Sequence, residues 1–440
     1  MWKQRSLSII GKIQIIKTNG ISKTLFITNM KNTPTHIINH VNKILYNFIW
    51  NGPDKVKRSA MIADIAKGGL KMPHLESIIK TQKVIWCKRY AEENYHPWKE
   101  FLMDGLRKLD KCESINRKIP LKIISKMEIS DFNKELLICW SNFQSFPSEC
   151  LEIGNQLLWH NENITTPNGE TIYYPRLSKN HNIKYVRDIE KHNKSNKNLT
   201  AIEQMQLNSI VKCLPKRWKP IFKPIEEYLL FETQTMKKLN SKNVYKKMIQ
   251  PKVTSPTSEV YLAKVLNIPE STISEMYSIP YCATIYTKLR AFQFKINHNI
   301  LYTNEKLYKI GKVESPLCCM CNTQIETLVH LFVECEKIKT FWEKTSELIH
   351  PYGIDEINTT EIILGILTNE RTNNMTNHII LEAKYYIYVC KLEKIMPNFA
   401  RFIKRLKITE NIERQIASRS EKNRKAHEYK WNHLLNFILL

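Results

Sequence analysis

A mainly α, multi-unit helical fold is predicted by three observations. Apolar residues recur at helical spacing through most of the chain. Glycine is scarce, 11 in 440 residues. One stretch only, NITTPNGETIYY, carries a clear hairpin signal. The expected architecture is therefore helical units with a small β-hairpin region and one compact knuckle built around a cysteine cluster.

Length and composition bound the organisation. At 440 residues the chain exceeds one ordinary core. An apolar fraction of 42%, with 19 Tyr, 15 Phe and 9 Trp, supplies enough buried surface for folded units and excludes wholesale disorder. The charge is lopsided: 67 Lys and Arg against 42 Asp and Glu leave +25. Such an excess repels itself unless a polyanion neutralises it, and because it is spread along the chain, nucleic acid is a better partner than a lipid surface. The plainer alternative is a basic, solvated exterior. In MWKQRSLSIIGKIQIIKTNG a charge interrupts every apolar run, so no signal peptide is read and an intracellular location, nuclear or cytoplasmic, is expected. The longest apolar run, Tyr385 to Cys390, lies between Lys384 and Lys391; too short to span a bilayer, it reads as a buried helix segment, and no membrane is expected as a partner. The 11 cysteines are then reduced: core thiols or metal ligands.

In chain order, the first strong element follows Gly68 and Gly69, a turn that side chains would strain, with Pro73 suited to a first helical turn. Leu75, Ile78, Ile79, Ile85, Trp86 and Tyr90 then keep one face while Lys80, Lys83, Lys88 and Arg89 take the rest, predicting one oily and one cationic side. At Asn168-Gly169 both residues are expected to take positive φ in a tight hairpin turn. Residues 191–200 are polar and aperiodic and read as a linker, with a weaker boundary at 250–259. From Ile285 a helix places Ile285, Leu289, Phe292, Ile296 and Ile300 on one stripe, and Lys288, Arg290 and Lys295 off it. Thr303 is placed to cap a short following helix and Gly311 to end it. The segments predicted are 1–50, 51–190, 191–282, 283–350 and 351–440.

The stretch CCMCNTQIETLVHLFVEC holds the clearest chemistry. Cys318 and Cys321 have the spacing with which one tight turn aims two thiolates at a single point, and His330 and Cys335 complete C-x2-C-x8-H-x4-C. Residues 326–332 read as helical, with Leu328, Leu331 and Phe332 inward. On an ideal helix Cys335 would lie about 140° from His330, so the helix is expected to end or tighten before it. Three thiolates and an imidazole favour Zn2+, and four protein ligands leave no open position, so the zinc is structural and about one per chain is expected. Buried ordinary thiols are the alternative. Cys319 reads as a spare thiol, and Cys87, Cys112, Cys139, Cys150, Cys213, Cys282 and Cys390 as core.

These residues bear a resemblance. KLRAFQFKINHNILYTNEKLYKIGKVESPLCCMCNTQIETLVHLFVECEKIKTFW is similar to the zinc-binding segment of LINE-type, non-LTR retrotransposon reverse transcriptases, a basic aromatic helix before the C-x2-C and an ETL-x-HLF-x-x-C helix after it. SLSIIGKIQIIK resembles that family's thumb helix, with Leu7, Gly11, Lys12 and Lys17 in place. NFIWNGPDKVKRS and KGGLKMPHLE resemble the segment after the thumb, and ILGILTNE, the region of Ile387 and the basic end to Trp431 resemble the extreme C-terminus. In effect the whole chain is covered.

The family's polymerase holds two Mg2+ ions with an aromatic-x-Asp-Asp turn. The seven aspartates here, Asp54, Asp64, Asp104, Asp110, Asp131, Asp188 and Asp355, include no adjacent pair, so no catalytic residue and no DNA synthesis by this chain alone is expected. What the resemblance implies instead is a grip on RNA or DNA, with phosphate contacts from Lys12, Lys17, Lys55, Lys57, Arg58, Lys67 and Lys71 and from the helix carrying Lys288, Arg290 and Lys295, where Phe292 and Phe294 could stack on unpaired bases or, for Phe292, face the core. Each lysine taken singly reads equally as a solvated charge. The tail from Arg401 to Lys430 reads both as an RNA-gripping helix and as a charged exterior. The rival readings are a protein-interaction scaffold, with a polymerase palm and fingers supplied in trans as one partner, and the translation of a decayed, unexpressed element.

Overall fold

The computed structural model describes residues 5–92, 94–145, 147, 149–189, 199–218, 227–229, 238–367 and 373–439. In chain order α1 (Ile9–Ile15), whose N-terminal Gly11 N–H donates to the Ser8 hydroxyl at 3.1 Å, and α2 (Thr35–Trp50) come first. α3 (Leu75–Ala91), α4 (Pro97–Asp110) and α5 (Asp131–Phe143) follow. Beyond them lie α6 (Ser241–Ile249), α7 (Ser258–Leu266), α8 (Thr287–Asn297) and α9 (Asn304–Lys309). After the cysteine cluster come α10 (Lys339–Ile349), α11 (Asn373–Glu393), α12 (Phe399–Ala417) and α13 (Glu421–Leu439). The fold is mainly α, as the periodicity predicts. Contacts divide the chain into two units: Met1–Thr18, Lys43–Met72 and Val253–Leu440 make one, Asn19–Asn42 and Pro73–Lys252 the other. The division falls inside α2 and resumes the first unit at Val253, within the stretch 250–259. Of the predicted linker, residues 191–198 lie outside the described residues.

In the second unit α3 packs against α5 and α6 around Val84, Cys87, Leu136, Trp140 and Val244. Because α3 is covered on several sides, its predicted cationic side is not all solvent-facing. Lys83 is fully buried, its Nζ 3.8 Å from the centre of the Phe132 ring, 3.2 Å from Asn32 Oδ1 and 3.9 Å from Glu135. Helical spacing alone assigns a lysine to the exterior; a cation–π partner and polar neighbours let it enter. A second cluster around Trp159, Ile164, Ile183 and Ile210 encloses the buried Arg117–Asp110 ion pair. The predicted hairpin reduces to a single bridge between Thr165 and Thr171. Of Asn168 and Gly169 only Gly169 has positive φ, +77°, because the Gly169 N–H bonds to the Thr166 carbonyl (2.9 Å) around Pro167-Asn168, and one left-handed residue suffices there.

The first unit is built on α11, which packs against α8, α10, α12 and α13. Ile379, Ile380, Ala383, Ile387 and Cys390 are all buried, so the apolar run at Tyr385–Cys390 is a core helix segment as read. Lys384 is buried there without a carboxylate: its Nζ donates to Gln293 Oε1 and to the Ile363 carbonyl, each at 2.7 Å. Burial holds its pKa well below the ordinary lysine range. The unfolded chain then binds a proton that the folded chain does not, so this residue adds stability as pH rises towards about 10.4, the ordinary lysine value. Urea midpoints of the unaltered chain and Lys384→Met should diverge across that range, with the variant showing the weaker rise.

The KGGL turn lies in this unit. Gly68 has φ +75°, and a Cβ there would approach Pro256 and Tyr277 to 2.7 and 2.8 Å. At Gly69 a Cβ would sit 2.1 Å from the Ala63 carbonyl oxygen. The obstacle is backbone, held by bonds from Leu70 and Met72 N–H to the Met61 carbonyl and from Lys71 N–H to Ala63. Gly69→Ala is expected to cost roughly 1–3 kcal/mol, at the upper end because no rotamer relieves the clash; thermal unfolding measures it.

Seven cysteines were read as core. Cys87, Cys112, Cys139 and Cys390 are buried, Cys150 and Cys213 half-buried, but Cys282 is exposed. Cys282 lies in a helix of five residues, too short for its spacing to show which side faces inward.

Candidate metal centre and basic pocket

Two short elements carry the metal-ligand candidates. Around the C-x2-C, an antiparallel bridge pairs Leu317 with Ile325, the Cys318 N–H donates to the Gln324 carbonyl (2.8 Å), and the Asn322 N–H returns to the Cys318 carbonyl (2.8 Å). Asn322 takes φ +58°, a conformation Asn tolerates better than most side chains. The turn is tight enough for the Met320 N–H to reach Cys318 Sγ at 3.4 Å.

The second element meets the expectation only in part. The helix ends at Cys335, which is extended, yet before ending it widens instead of tightening. His330–Glu334 is a π-turn in which the Cys335 N–H bonds the His330 carbonyl five residues back, at 3.0 Å. Closing the turn over five residues returns Cys335 to the side occupied by His330, where an α-helix would have swung it away.

The donor atoms of Cys318, Cys321, His330 and Cys335 all lie within 4.8 Å of one another. Cys318 Sγ and Cys335 Sγ are 3.9 Å apart, and Cys321 Sγ is 3.4 Å from His330 Nε2. Tetrahedral zinc with Zn–S of about 2.3 Å and Zn–N of about 2.0 Å separates its donors by about 3.8 Å (S–S) and about 3.5 Å (S–N). The residues fit the ion. Burial and the adjoining Cys318 and Cys321 thiols push Cys335 up to about 12. For Cys321 the rise from burial is outweighed by hydrogen bonds from Thr323, from the Gln324 backbone and from His330, which bring it to about 6. So unequal a set of thiols becomes three thiolates only with a cation between them. His330 is buried, and its Nδ1 has no partner among the described residues.

Beneath the knuckle is a hub that spacing does not reveal. Glu326, fully buried, meets Lys391 at 2.6 Å and accepts from the Asn304 N–H at 2.8 Å and the Cys319 N–H at 3.4 Å. Lys391 also donates to the Tyr302 carbonyl at 2.8 Å. Thr303 caps α9 with no side-chain bond; Glu326 performs that task from across the chain. Gly311, φ +67°, follows the helix end as predicted. Cys319 stands outside the ligand set, its thiol directed to the Lys391 carbonyl at 3.9 Å.

The predicted cations all fall in the first unit. Lys17, Lys55, Lys57, Lys67, Lys288 and Lys295 have no carboxylate partner among the described residues, whereas Arg58 pairs with Asp54 (2.7 Å) and Lys71 with Asp64 (2.9 Å). Arg290 is turned inward, its guanidinium donating to the Thr284 carbonyl (2.6 Å) and the Tyr281 carbonyl (3.1 Å). Phe292 and Phe294 are both buried, so neither offers a face to a base; both sides of α8 are covered, and Ile285 of the predicted stripe, outside the helix, is exposed instead.

Lys12, Lys55, Lys288 and Lys295 converge on one pocket of about 410 Å³, with Trp50, Tyr302, Tyr385 and Tyr388 among its walls. No carboxylate lines it among the described residues. The Lys12 Nζ donates to the Ile49 carbonyl (2.9 Å) and the Lys55 Nζ to the Tyr302 hydroxyl (2.8 Å). Sequence reasoning found the lysines but missed the aromatic walls, which come from chain segments far apart.

A closed Cys3His site on a basic, helical unit defines a structural zinc protein. Residues 256–342 match the family model described as zinc-binding in reverse transcriptase, and the matched stretch runs from Pro256, against Gly68, through α8, α9 and the knuckle into α10. The chain thus carries a reverse-transcriptase zinc-binding domain. No curated protein matches the chain significantly. No described helix is long and apolar enough to cross a membrane.

Proposed function

We propose that the chain is a nucleic-acid-holding part of a LINE-type reverse transcriptase, gripping template RNA or target DNA and performing no polymerisation of its own. The observation that carries this reading is the placement of the lysines at 17, 55, 57, 67, 288 and 295, which have no carboxylate partner among the described residues, in the same unit as the zinc site. Zinc supplies no chemistry to a substrate in a four-ligand site; it clamps the knuckle to the π-turn and so holds the basic unit in shape. Phosphate groups then replace counterions along the lysines. The absence of adjacent aspartates in the sequence supports the non-catalytic half of the reading.

Anisotropy of a labelled single-stranded RNA, titrated with salt, tests the grip. Log affinity should fall steeply with log salt, by about 0.7 for each phosphate neutralised. A flat response would favour the scaffold reading, for which one observation speaks: Ile408, Ile412 and Ile416, one helical turn apart along α12, are 61%, 54% and 42% exposed. Purified protein given primer, template, Mg2+ and nucleotides should show no incorporation.

A further inference from the structure

The pocket between α1, α8 and α11 has a composition that a general phosphate-tracking surface does not require. Among the described residues it offers donors and no carboxylate. Lys288 and Lys295 bring ammonium groups without hydrogen-bond partners among the described residues, and Lys55 is held at the rim by Tyr302. Trp50, in the wall, is buried at 8% exposure and gives the pocket a fixed apolar side. Burial, and the charges of Lys55 and Lys12, hold Lys295 below the ordinary lysine range, a repulsion that an anion relieves.

The remaining walls are aromatic. Tyr385 and Tyr388 pack their rings on Phe292, with centroids 5.2 and 5.5 Å away, which leaves them rigid. Tyr388 donates to the Tyr302 carbonyl at 3.3 Å, the same carbonyl that Lys391 holds from the zinc hub. At about 410 Å³ the space lies at the small end of ligand sites, about 300–1,000 Å³. Cations beside fixed rings suit a ligand with an anionic head and a flat, apolar body.

From this geometry we infer that the pocket bounded by Trp50, Tyr302, Tyr385 and Tyr388 takes one nucleotide, its phosphate on Lys288, Lys295 and Lys55 and its base against the tyrosines. A nucleotide splayed from a single strand and a free nucleotide share that chemistry. The pocket's chemistry stands on its own residues; only the assignment of the nucleotide to a strand rests on the nucleic-acid reading above.

The test uses the full, zinc-loaded chain with a short oligouridylate bearing one 2-aminopurine, whose fluorescence reports stacking, and with free UMP as competitor. Expected is a fluorescence change on binding, weakened about tenfold in affinity by the pair Lys288→Gln/Lys295→Gln, the loss of charge-assisted bonds. Circular dichroism and zinc content should be unchanged in the variant. Competition by UMP would support the pocket and assign it to free nucleotides as well. UMP binding without oligonucleotide binding would uphold the pocket and overturn the strand reading. Oligonucleotide binding with a stacking signal untouched by the variant would overturn the pocket and leave the nucleic-acid reading standing. Binding of neither probe would overturn both.

Discussion

Cys335→Ser protein, purified from zinc-sufficient medium, should carry almost no zinc where the unaltered chain carries about one per chain. Cys335 lies at the end of the π-turn, 3.9 Å from Cys318 Sγ, and closes the tetrahedron from the side opposite the knuckle. A hydroxyl there cannot supply the third thiolate. The consequence reaches folding, because ligation of such a site contributes on the order of 10 kcal/mol and residues 317–335 contain little regular structure apart from one bridge and one π-turn. Metal analysis reads the first effect and hydrogen exchange over residues 301–342 the second. Protection retained in that stretch after zinc loss would mean that the apolar cluster, which includes Leu328, Leu331 and Phe332, holds it without metal. Acid should act in the same direction: protons compete for every ligand, so zinc is released as pH falls.

Glu326→Ala is the second large effect, expected at about 3–5 kcal/mol. The substitution leaves Lys391 buried at 5% side-chain exposure without its carboxylate and strips the Asn304 and Cys319 N–H groups of their acceptor. Glu326 coordinates nothing, so zinc content measured in the native baseline should stay near one per chain while the urea midpoint falls. Replacing Lys391 with Met in the same chain should recover a good part of the loss, since the uncompensated charge goes with it, and the double-mutant cycle isolates the pair. An additive outcome, each substitution costing the same alone and together, would show that the two side chains act independently.

The legible and illegible parts of this molecule divide along the range over which each is decided. The metal ligands could be read because the C-x2-C turn is a local geometry, stated within four residues. The way His330 and Cys335 meet could not, because a π-turn differs from an α-turn by one hydrogen bond and carries no compositional mark; spacing predicts that the helix ends or tightens before Cys335, and it ends there by widening. Helical periodicity located α8, and the apolar run Tyr385–Cys390 marked a segment inside α11, yet periodicity assigned Lys83 to a solvated face and left Phe294 open to stacking. A lysine enters a core when another element supplies a ring or a carbonyl for it, as Phe132 does for Lys83 and the Ile363 carbonyl for Lys384. Those partners lie tens of residues away.

By itself, then, the sequence determined helical class, the excess of positive charge and the closed Cys3His donor set, all of which follow from residue type and near-neighbour spacing. Tertiary structure alone decided that three separate stretches form one unit, that Arg290 and the two phenylalanines of α8 turn inward, that Glu326 anchors the knuckle through Lys391, and that Trp50 and three tyrosines wall a lysine-lined pocket. The physical reason is that burial and pairing depend on which distant surfaces meet, and packing settles that only when the whole unit closes on its core.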